Sequence, residues 1–273
     1  AAFGGAGHTL TIDDTTGTGP LVIDQSGTGT TANLLVELTS AHFTSTDVIT
    51  GGSGADAIQL VDQTGIVVAD AAFTNINGVE TLEVGGSADD SITLGAFASH
   101  DVGGSGHLFT LDDSSALGNL YVNAAAMSAN LEVLAGAGTD QITGGSGNDT
   151  FLAGIGNDIF TGGLGNNTYV FNALTLGADQ ITDFNNTTRG DQIQVSAAGF
   201  GGGLTQNEDV TSIFQTASNA NFSGAGGGQG QFLFDTANHT LYYSANGSTA
   251  SAHAIAQIEA GVTLTPHDIH VAV

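Results

Sequence analysis

Basic side chains are almost absent from this chain. Its 273 residues include one arginine, Arg189, and no lysine, against 27 acidic residues, so the net charge is −26. Proteins bind nucleic acids and anionic lipid surfaces largely through lysine and arginine. The sequence therefore offers no surface for a nucleic acid and predicts no membrane insertion. So negative a chain also resists compaction unless cations bind to it.

Cysteine is absent as well. The chain therefore has neither a thiol nucleophile nor a disulfide, and a bound metal could take over the stabilising role of disulfides. The patterns of zinc proteases, serine hydrolases and phosphate-binding loops are also missing. The acid pairs 13–14, 89–90 and 112–113 could suggest acid–base catalysis, but solvated or metal-coordinating acids are the simpler interpretation. We predict no catalytic residue and no enzyme.

Long apolar runs are missing too. No stretch approaches the roughly 20 residues of a transmembrane helix, and no signal peptide is visible at the start. The chain begins at Ala1 rather than Met, and the Gly-rich residues 4–7 resemble the interior of a repeating structure. We therefore expect the C-terminal part of a longer protein. Disorder is not expected, because 40% of the residues are hydrophobic.

Glycine and aspartate, in contrast, are abundant and periodic. Residues 135–170 divide into four consecutive units of nine residues: AGAGTDQIT, GGSGNDTFL, AGIGNDIFT and GGLGNNTYV. Each fits the pattern Gly-Gly-x-Gly-x-Asp-x-apolar-x, with alanine first in two units and asparagine for aspartate in the last. A flexible glycine-rich linker would not keep an apolar residue at position eight and an acid or its amide at position six.

The nine-residue period predicts a flattened parallel solenoid. The first six residues of a unit form a turn in which glycines take unusual backbone angles, and the last three form a short strand. The apolar residues at position eight point inward, and they are Ile142, Phe151, Phe160 and Tyr169. The turns then stack in two columns, with the units starting at 135 and 153 in one column and those at 144 and 162 in the other.

Stacked turns bring carboxylates and backbone carbonyls together, and such oxygen cages suit a hard cation such as Ca²⁺. Here the sequence resembles the RTX, or haemolysin-type calcium-binding, β-roll family. The resemblance implies several bound Ca²⁺ ions. The acids and amides predicted as ligands in the array are Asp140, Asp149, Asp158 and Asn167. The turn carbonyls predicted to join them are those of Gly136, Gly138, Gly145, Gly147, Gly154, Gly156, Gly163 and Gly165.

Asn167 offers only a neutral oxygen, so its site should be weaker or be closed by Asp183. After residue 170 the pattern loosens, and Asp179, Asp183 and Asp191 are predicted as capping groups or further ligands. Two single units stand apart from the array, at residues 51–59 and 85–93. Their candidate ligands are Gly52, Gly54, Asp56 and Asp90, which could bind calcium only if another turn packs against them.

The chain also appears to contain one β module twice. Residues 4–14 align with 103–113, and 47–54 align with 140–147. We predict an all-β fold, a calcium-binding parallel β-roll or solenoid with duplicated β modules. The expected domains are residues 1–95, residues 96–200 with the roll and its cap, and residues 201–273. The last region should contain loops, a hairpin of 231–235 with 240–244, and an end similar to type I secretion signals.

Two functions are compatible with these features. The first is an extracellular calcium-binding structural protein that self-assembles as a surface layer (S-layer), fibre or matrix component at the cell surface. It is similar to the calcium-rich S-layer proteins that carry such nonapeptides. The second is the secretion and calcium-folding domain of a larger RTX exoenzyme, toxin or adhesin.

Overall fold

The computed structural model describes residues 8–27, 32–62, 64–102, 106–186, 190–223 and 228–273. Arg189 and the proposed module starts at 4–7 and 103–105 lie outside these residues. The strands are β1 (Thr9–Asp13), β2 (Val22–Asp24), β3 (Asn33–Leu38), β4 (Val48–Thr50), β5 (Ala57–Leu60), β6 (Val67–Val68), β7 (Ile76–Asn77), β8 (Thr81–Glu83), β9 (Asp90–Thr93), β10 (Leu108–Asp112), β11 (Leu120–Asn123), β12 (Asn130–Leu134), β13 (Gln141–Thr143), β14 (Thr150–Leu152), β15 (Ile159–Thr161), β16 (Thr168–Phe171), β17 (Asp179–Ile181), β18 (Gln192–Ser196), β19 (Phe214–Ala217), β20 (Gln231–Asp235), β21 (Thr240–Ser244), β22 (Ala252–Ile258) and β23 (Ile269–Ala272).

Helices are few and short. The described residues contain α1 (Ala96–Asp101), α2 (Ala197–Phe200) and 3-10 helices at Asp70–Asn75, Val210–Ser212, Thr249–Ser251 and Pro266–Asp268. Within this part of the chain, no helix has the length and apolar character needed to cross a membrane. The predicted all-β class is therefore confirmed.

The strands form two large sheets and one small one. Sheet one has ten strands in the order β1-β3-β5-β8-β10-β12-β14-β16-β18-β23. Sheet two has ten strands in the order β19-β20-β21-β22-β17-β15-β13-β11-β9-β6, and sheet three consists of β2-β4-β7. From β8 to β18 the chain alternates between sheets one and two, so each coil adds one parallel strand to each sheet. This is the predicted parallel solenoid.

The strand register follows the nine-residue period. Phe151 pairs with Val133 on one side and with Tyr169 on the other, so two nonapeptides make one coil. In sheet two, Ile142 pairs with Phe160 in the same way. The position-eight side chains are fully buried between the sheets. Short strands with one inward apolar residue thus build a continuous core, to which neighbouring coils contribute in turn.

Aromatic side chains fill the middle of this core. The ring centroids of Phe151 and Phe160 lie 5.8 Å apart, those of Phe151 and Tyr169 5.6 Å, and those of Tyr169 and Phe184 6.0 Å. Such offset and tilted pairs add to the stabilisation from burial. Phe184 extends this stack beyond the four predicted units.

The coils before the array are longer because they contain extra elements. Sheet three and the 3-10 helix Asp70–Asn75 occupy one side of the early coils. In the next coil α1 packs against that 3-10 helix, and the Asp70 carboxylate accepts hydrogen bonds from the amides of Gly95, Phe97 and Ala98. Asp70 therefore fixes the start of α1 from the neighbouring coil.

The C-terminal region returns to close both sheets. β20 and β21 form the predicted antiparallel hairpin, and β22 pairs with both β21 and β17. β23 then pairs in parallel with β18. The segments around residues 179 and 191 thus form a regular coil rather than the cap we expected, because β22 and β23 cover their strands. The domain boundaries remain predictions; both fall between coils that share a sheet.

Candidate calcium-binding turns

Two columns of stacked turns run along the edges of the solenoid. Column one contains the turns that lead from sheet one into sheet two, including residues 135–140 and 153–158. Column two contains the turns that lead back into sheet one, including 144–149 and 162–167. Hydrogen bonds join successive turns: the Ile155 amide donates to the Gly136 oxygen at 2.8 Å, and the Leu164 amide donates to the Gly145 oxygen at 2.9 Å. The predicted pairing of units is thus observed.

The glycines of these turns allow very close stacking. A Cβ atom at Gly154 or Gly156 would overlap the carbonyl oxygen of Gly136 or Gly138 in the turn before it. Only some of the predicted glycines take left-handed backbone angles, among them Gly138 at φ 124°. For Gly154 and Gly156 the reason for glycine is instead the approach of a neighbouring carbonyl. This packing lines up carbonyl oxygens along the column, where we predicted them.

The aspartates of column one form a continuous hydrogen-bonded series. Asp140 Oδ1 accepts from the Leu120 amide at 2.8 Å, Asp158 Oδ1 from the Asp140 amide at 3.0 Å, and Asp179 Oδ1 from the Asp158 amide at 2.8 Å. The structure therefore brings the predicted residues Asp140, Asp158 and Asp179 into one line. One oxygen of each carboxylate holds the adjacent coil.

The second oxygens of two of these carboxylates have no protein partner. Oδ2 of Asp140 and Oδ2 of Asp179 are buried and accept no hydrogen bond. Asp158 differs, because the backbone amide of Gly154 in its own turn bonds to its carboxylate and opposes the rise in pKa that burial causes. Buried polar atoms are normally satisfied, and a buried charge without a partner is costly. A cation between the turns would satisfy these oxygens. Carboxylate and carbonyl oxygens are the donors that Ca²⁺ prefers, so column one fits this ion.

The electrostatics of column one point the same way. Burial raises the pKa of Asp140 to about 6, with the Leu120 amide opposing the shift and the Asp158 charge adding to it. The pKa of Asp179 is raised to about 7, mainly by burial; the Asp158 amide opposes this shift, and the charges of Asp158 and Asp140 contribute to it. Because these acids repel one another when ionised, a bound cation would stabilise their charged forms.

Column two pairs its acid differently. Asp149 Oδ1 accepts from the Leu131 amide at 2.9 Å, and Oδ2 accepts from the Gly145 amide at 2.8 Å. The Asp149 amide donates to Asn167 Oδ1 at 3.0 Å, so the predicted neighbours do meet. Burial raises the pKa of Asp149 to about 6, while the two amides lower it. Both carboxylate oxygens of Asp149 are thus already used by the protein.

Two later acids complete column two. Asp183 accepts from the amides of Gly162 and Gly163 at 2.7 and 2.8 Å, so it does lie at the turn of Asn167. Asp191 Oδ1 accepts from the Asn167 amide at 2.8 Å. Asp191 continues the series as the counterpart of Asn167 in the following coil.

The single units around Asp56 and Asp90 are not isolated. Asp56 Oδ1 accepts from the Leu34 amide at 2.7 Å and Oδ2 from the Gly52 amide at 2.6 Å. Asp90 Oδ1 accepts from the Ile66 amide at 2.7 Å, and burial raises its pKa. A Cβ atom at Gly54 would overlap the carbonyl oxygen of Ala32. Another turn therefore packs against each of these two units, which is the condition under which we expected them to bind calcium.

An asparagine ladder was missed by the sequence analysis. Asn130 Oδ1 accepts from the Asn148 amide at 2.8 Å, and Asn148 Oδ1 accepts from the Asn166 amide at 2.9 Å. In column one, Asn157 Oδ1 accepts from the Ala178 amide at 3.0 Å. These residues occupy position five, which we treated as variable. The recurrence of asparagine there in three of the four units was the available signal.

No group of three or more His, Cys, Asp or Glu side chains converges on a metal position among the residues that the structure describes. This agrees with the geometry of the columns. Adjacent turns bring carboxylates together in pairs, and the remaining oxygens would come from the backbone.

Comparison with protein families identifies these turns. The model of the RTX calcium-binding nonapeptide repeat matches four copies, within residues 44–59 and 134–169. No curated protein and no solved structure matches the chain. The matched residues contain the unit around Asp56 and the four-unit array except for its last residue, Val170, whereas the unit around Asp90 lies outside them.

Proposed function

The chain carries RTX calcium-binding nonapeptide repeats, and from this premise we propose that it is an extracellular structural protein that calcium folds and assembles. The assembly would be a surface layer, a fibre or a matrix at the cell surface, after type I secretion. The observation that carries this proposal is the continuity of the solenoid. The coils extend on both sides of the matched repeats, and sheet one continues through all of them from β1 to β23.

Calcium binding would be coupled to folding in this protein. In a calcium-poor compartment the charge of −26 opposes a compact state. Where calcium is abundant, Asp140, Asp158 and Asp179 with the turn carbonyls of column one would hold the ions. Because the ligands come together only in the stacked coils, the free energy of binding contributes to the free energy of folding.

Exposed apolar side chains on both edges favour assembly. Ile155 in column one and Leu164 in column two occupy the third position of their units and are 65% and 62% exposed. Leu117 is 70% exposed in a neighbouring turn of column one. An edge that repeats along a solenoid can contact copies of the same chain in a regular array.

The second candidate is the secretion and folding domain of a larger RTX exoenzyme, toxin or adhesin. The matched repeats support this function equally well. In that case calcium would fold the chain without driving assembly, and the activity would belong to another part of the protein.

Sedimentation velocity with and without millimolar Ca²⁺, together with circular dichroism, distinguishes the two candidates. The structural function predicts that Ca²⁺ increases β structure and produces large regular particles, while Mg²⁺ at the same concentration does not. A calcium-folded monomer would favour the secretion domain. A spectrum unchanged by removal of calcium would contradict both.

A further inference from the structure

Column one is interrupted at one coil just before the array. The strand register places Leu120 opposite Asp90, and the neighbouring pair Tyr121–Gln141 places Leu120 opposite Asp140 as well. Leu120 is fully buried. This coil therefore has an apolar residue at position six, where its neighbours on both sides have the aspartate of the column.

Asp113 lies at the first position of the same turn. Its amide donates to the Leu134 oxygen, just as the Ala135 amide donates to the Leu152 oxygen in the following coil. Side chains at position one point toward the acid at position six: a Cβ atom at Gly144 would overlap Asp149 Oδ2, and one at Gly51 would overlap Asp56 Oδ2. A carboxylate at position one therefore reaches the space that a carboxylate at position six would fill.

The carboxylate of Asp113 is buried without any protein partner. Asp113 is 1% exposed, and neither Oδ1 nor Oδ2 forms a hydrogen bond. Burial and the charges of Asp90, Asp140 and Asp112 raise its pKa to about 8. Asp140 Oδ2, in the following turn of the column, is also buried and unpartnered. Protonation of Asp113 would remove its charge but would leave its hydrogen-bonding atoms unsatisfied.

The turns on either side supply backbone oxygens. A Cβ atom at Gly136 would overlap the carbonyl oxygens of Asp113 and Ala116, and one at Gly138 would overlap that of Gly118. The Ala137 amide donates to the Ala116 oxygen at 2.9 Å and holds the two turns together. The spacing of turns is thus the same here as inside the array.

We propose that Asp113 is a ligand of a Ca²⁺ ion that lies between the turns of residues 113–119 and 135–140. The other ligands would be Asp140 Oδ2 and backbone carbonyls of these turns. The calcium column would then continue one coil before the matched array, through a turn that lacks the nonapeptide pattern. In this turn the acid stands at position one and the apolar residue at position six. The turn therefore does not match the nonapeptide pattern, although the same kinds of oxygen would surround the ion. This proposal rests on calcium binding by column one.

The test counts bound Ca²⁺ by equilibrium dialysis with elemental analysis, in wild type and in Asp113→Asn. We expect the variant to bind one ion fewer. Asp14→Asn is the matched control, because Asp14 aligns with Asp113 in the repeated module. The Asp14 amide donates to the Glu37 oxygen on the neighbouring strand, just as the Asp113 amide donates to the Leu134 oxygen. Asp14 is only partly buried. This control should bind as many ions as wild type.

The exchange variant Asp113→Ala with Leu120→Asp tests the geometry directly. It returns the acid to position six, so we expect it to restore the lost ion even if Asp113→Asn folds poorly. Equal ion counts in Asp113→Asn and wild type would refute the proposal, as would an exchange variant that folds but lacks the ion. If wild type itself bound no calcium, the proposed function would fail together with this site.

Discussion

Columns one and two share a nine-residue pattern but satisfy their aspartates in different ways. Asp149 in column two uses its second oxygen to accept the amide of Gly145 from its own turn. Asp140 and Asp179 in column one leave that oxygen buried and unpartnered. The same consensus position can thus be closed by the protein or left for a cation. We therefore expect column one to bind calcium more strongly.

The largest expected effect is the change in the free energy of unfolding of calcium-free protein when the pH is varied. The unfolded pKa of aspartate is about 3.9, whereas the folded values of Asp140 and Asp179 are about 6 and 7. The folded state thus binds more protons, so the free energy of unfolding should be highest at low pH and fall as pH rises from about 4 to about 7. Each unit of pKa shift corresponds to about 1.4 kcal/mol.

Urea unfolding of calcium-stripped protein at pH 5 and pH 8 measures this effect. With saturating Ca²⁺ the order should reverse, because the ion needs ionised carboxylates. Greater stability of the calcium-free protein at pH 8 than at pH 5 would contradict the expected cost of charging the buried aspartates, which include Asp149 of column two as well as Asp140 and Asp179.

Asp140→Asn should weaken calcium binding more than Asp149→Asn. The asparagine at 140 keeps an oxygen for the Leu120 amide but places an amide group where the unpartnered Oδ2 lies. We expect column-one affinity to fall about tenfold or more, which equals about 1.4 kcal/mol. Asp149→Asn should mainly lose the bond from Gly145, about 1 kcal/mol of unfolding free energy.

Isothermal titration calorimetry and urea unfolding of both variants separate the two effects. Equal losses of calcium affinity in the two variants would remove the distinction between the columns.

Asn167→Asp should make column two more like column one. Asn167 contributes a neutral oxygen next to Asp149 and also donates to the Leu164 oxygen at 3.4 Å. A carboxylate there adds charge for a cation but loses that donor. We expect a several-fold gain in calcium affinity, since ligand charge tunes such sites, and lower stability without calcium. Titration calorimetry of the variant should detect the gain, and an unchanged or weaker affinity would contradict this interpretation.

The smallest effect should come from the asparagine ladder. Asn148→Ala removes the acceptor of the Asn166 amide and should cost about 1 kcal/mol of unfolding free energy, with or without calcium. Thr139→Ala is the control, because Thr139 also occupies position five and is likewise exposed, but its side chain accepts no hydrogen bond in the part of the chain that the structure describes. A loss of calcium affinity in Asn148→Ala would mean that the ladder is part of the ion sites.

Much of the solenoid could be predicted from local pattern. The inward residues Ile142 and Phe151, the pairing of alternate units and the meeting of Asp140 with Asp158 all follow from the nine-residue period. The pattern also placed Asp179 and Asp183 near the columns. It could not show that Gly154 is required by a neighbouring carbonyl rather than by its own backbone angles, because that depends on the spacing between coils.

Residues outside the period could not be predicted in the same way. Asp113 lies at position one of its turn, whereas the nine-residue pattern has its acid at position six. Its burial depends on the coils on either side. From the sequence alone, the segments around residues 179 and 191 resemble a degenerate end of the array. They form a regular coil because β22 and β23 return from the distant C-terminal region to pair with them.

Within the array, the sequence by itself determined the coil length, the inward apolar stripe and the two columns of turns, since each follows from the nine-residue period. Its scarcity of basic side chains likewise determined that cations must come from solution. Only the tertiary structure decided which carboxylate oxygens are satisfied. The amide that donates to a carboxylate oxygen in a turn usually belongs to another coil, as the Leu120 amide does for Asp140. The distance between coils is set by packing of the whole core.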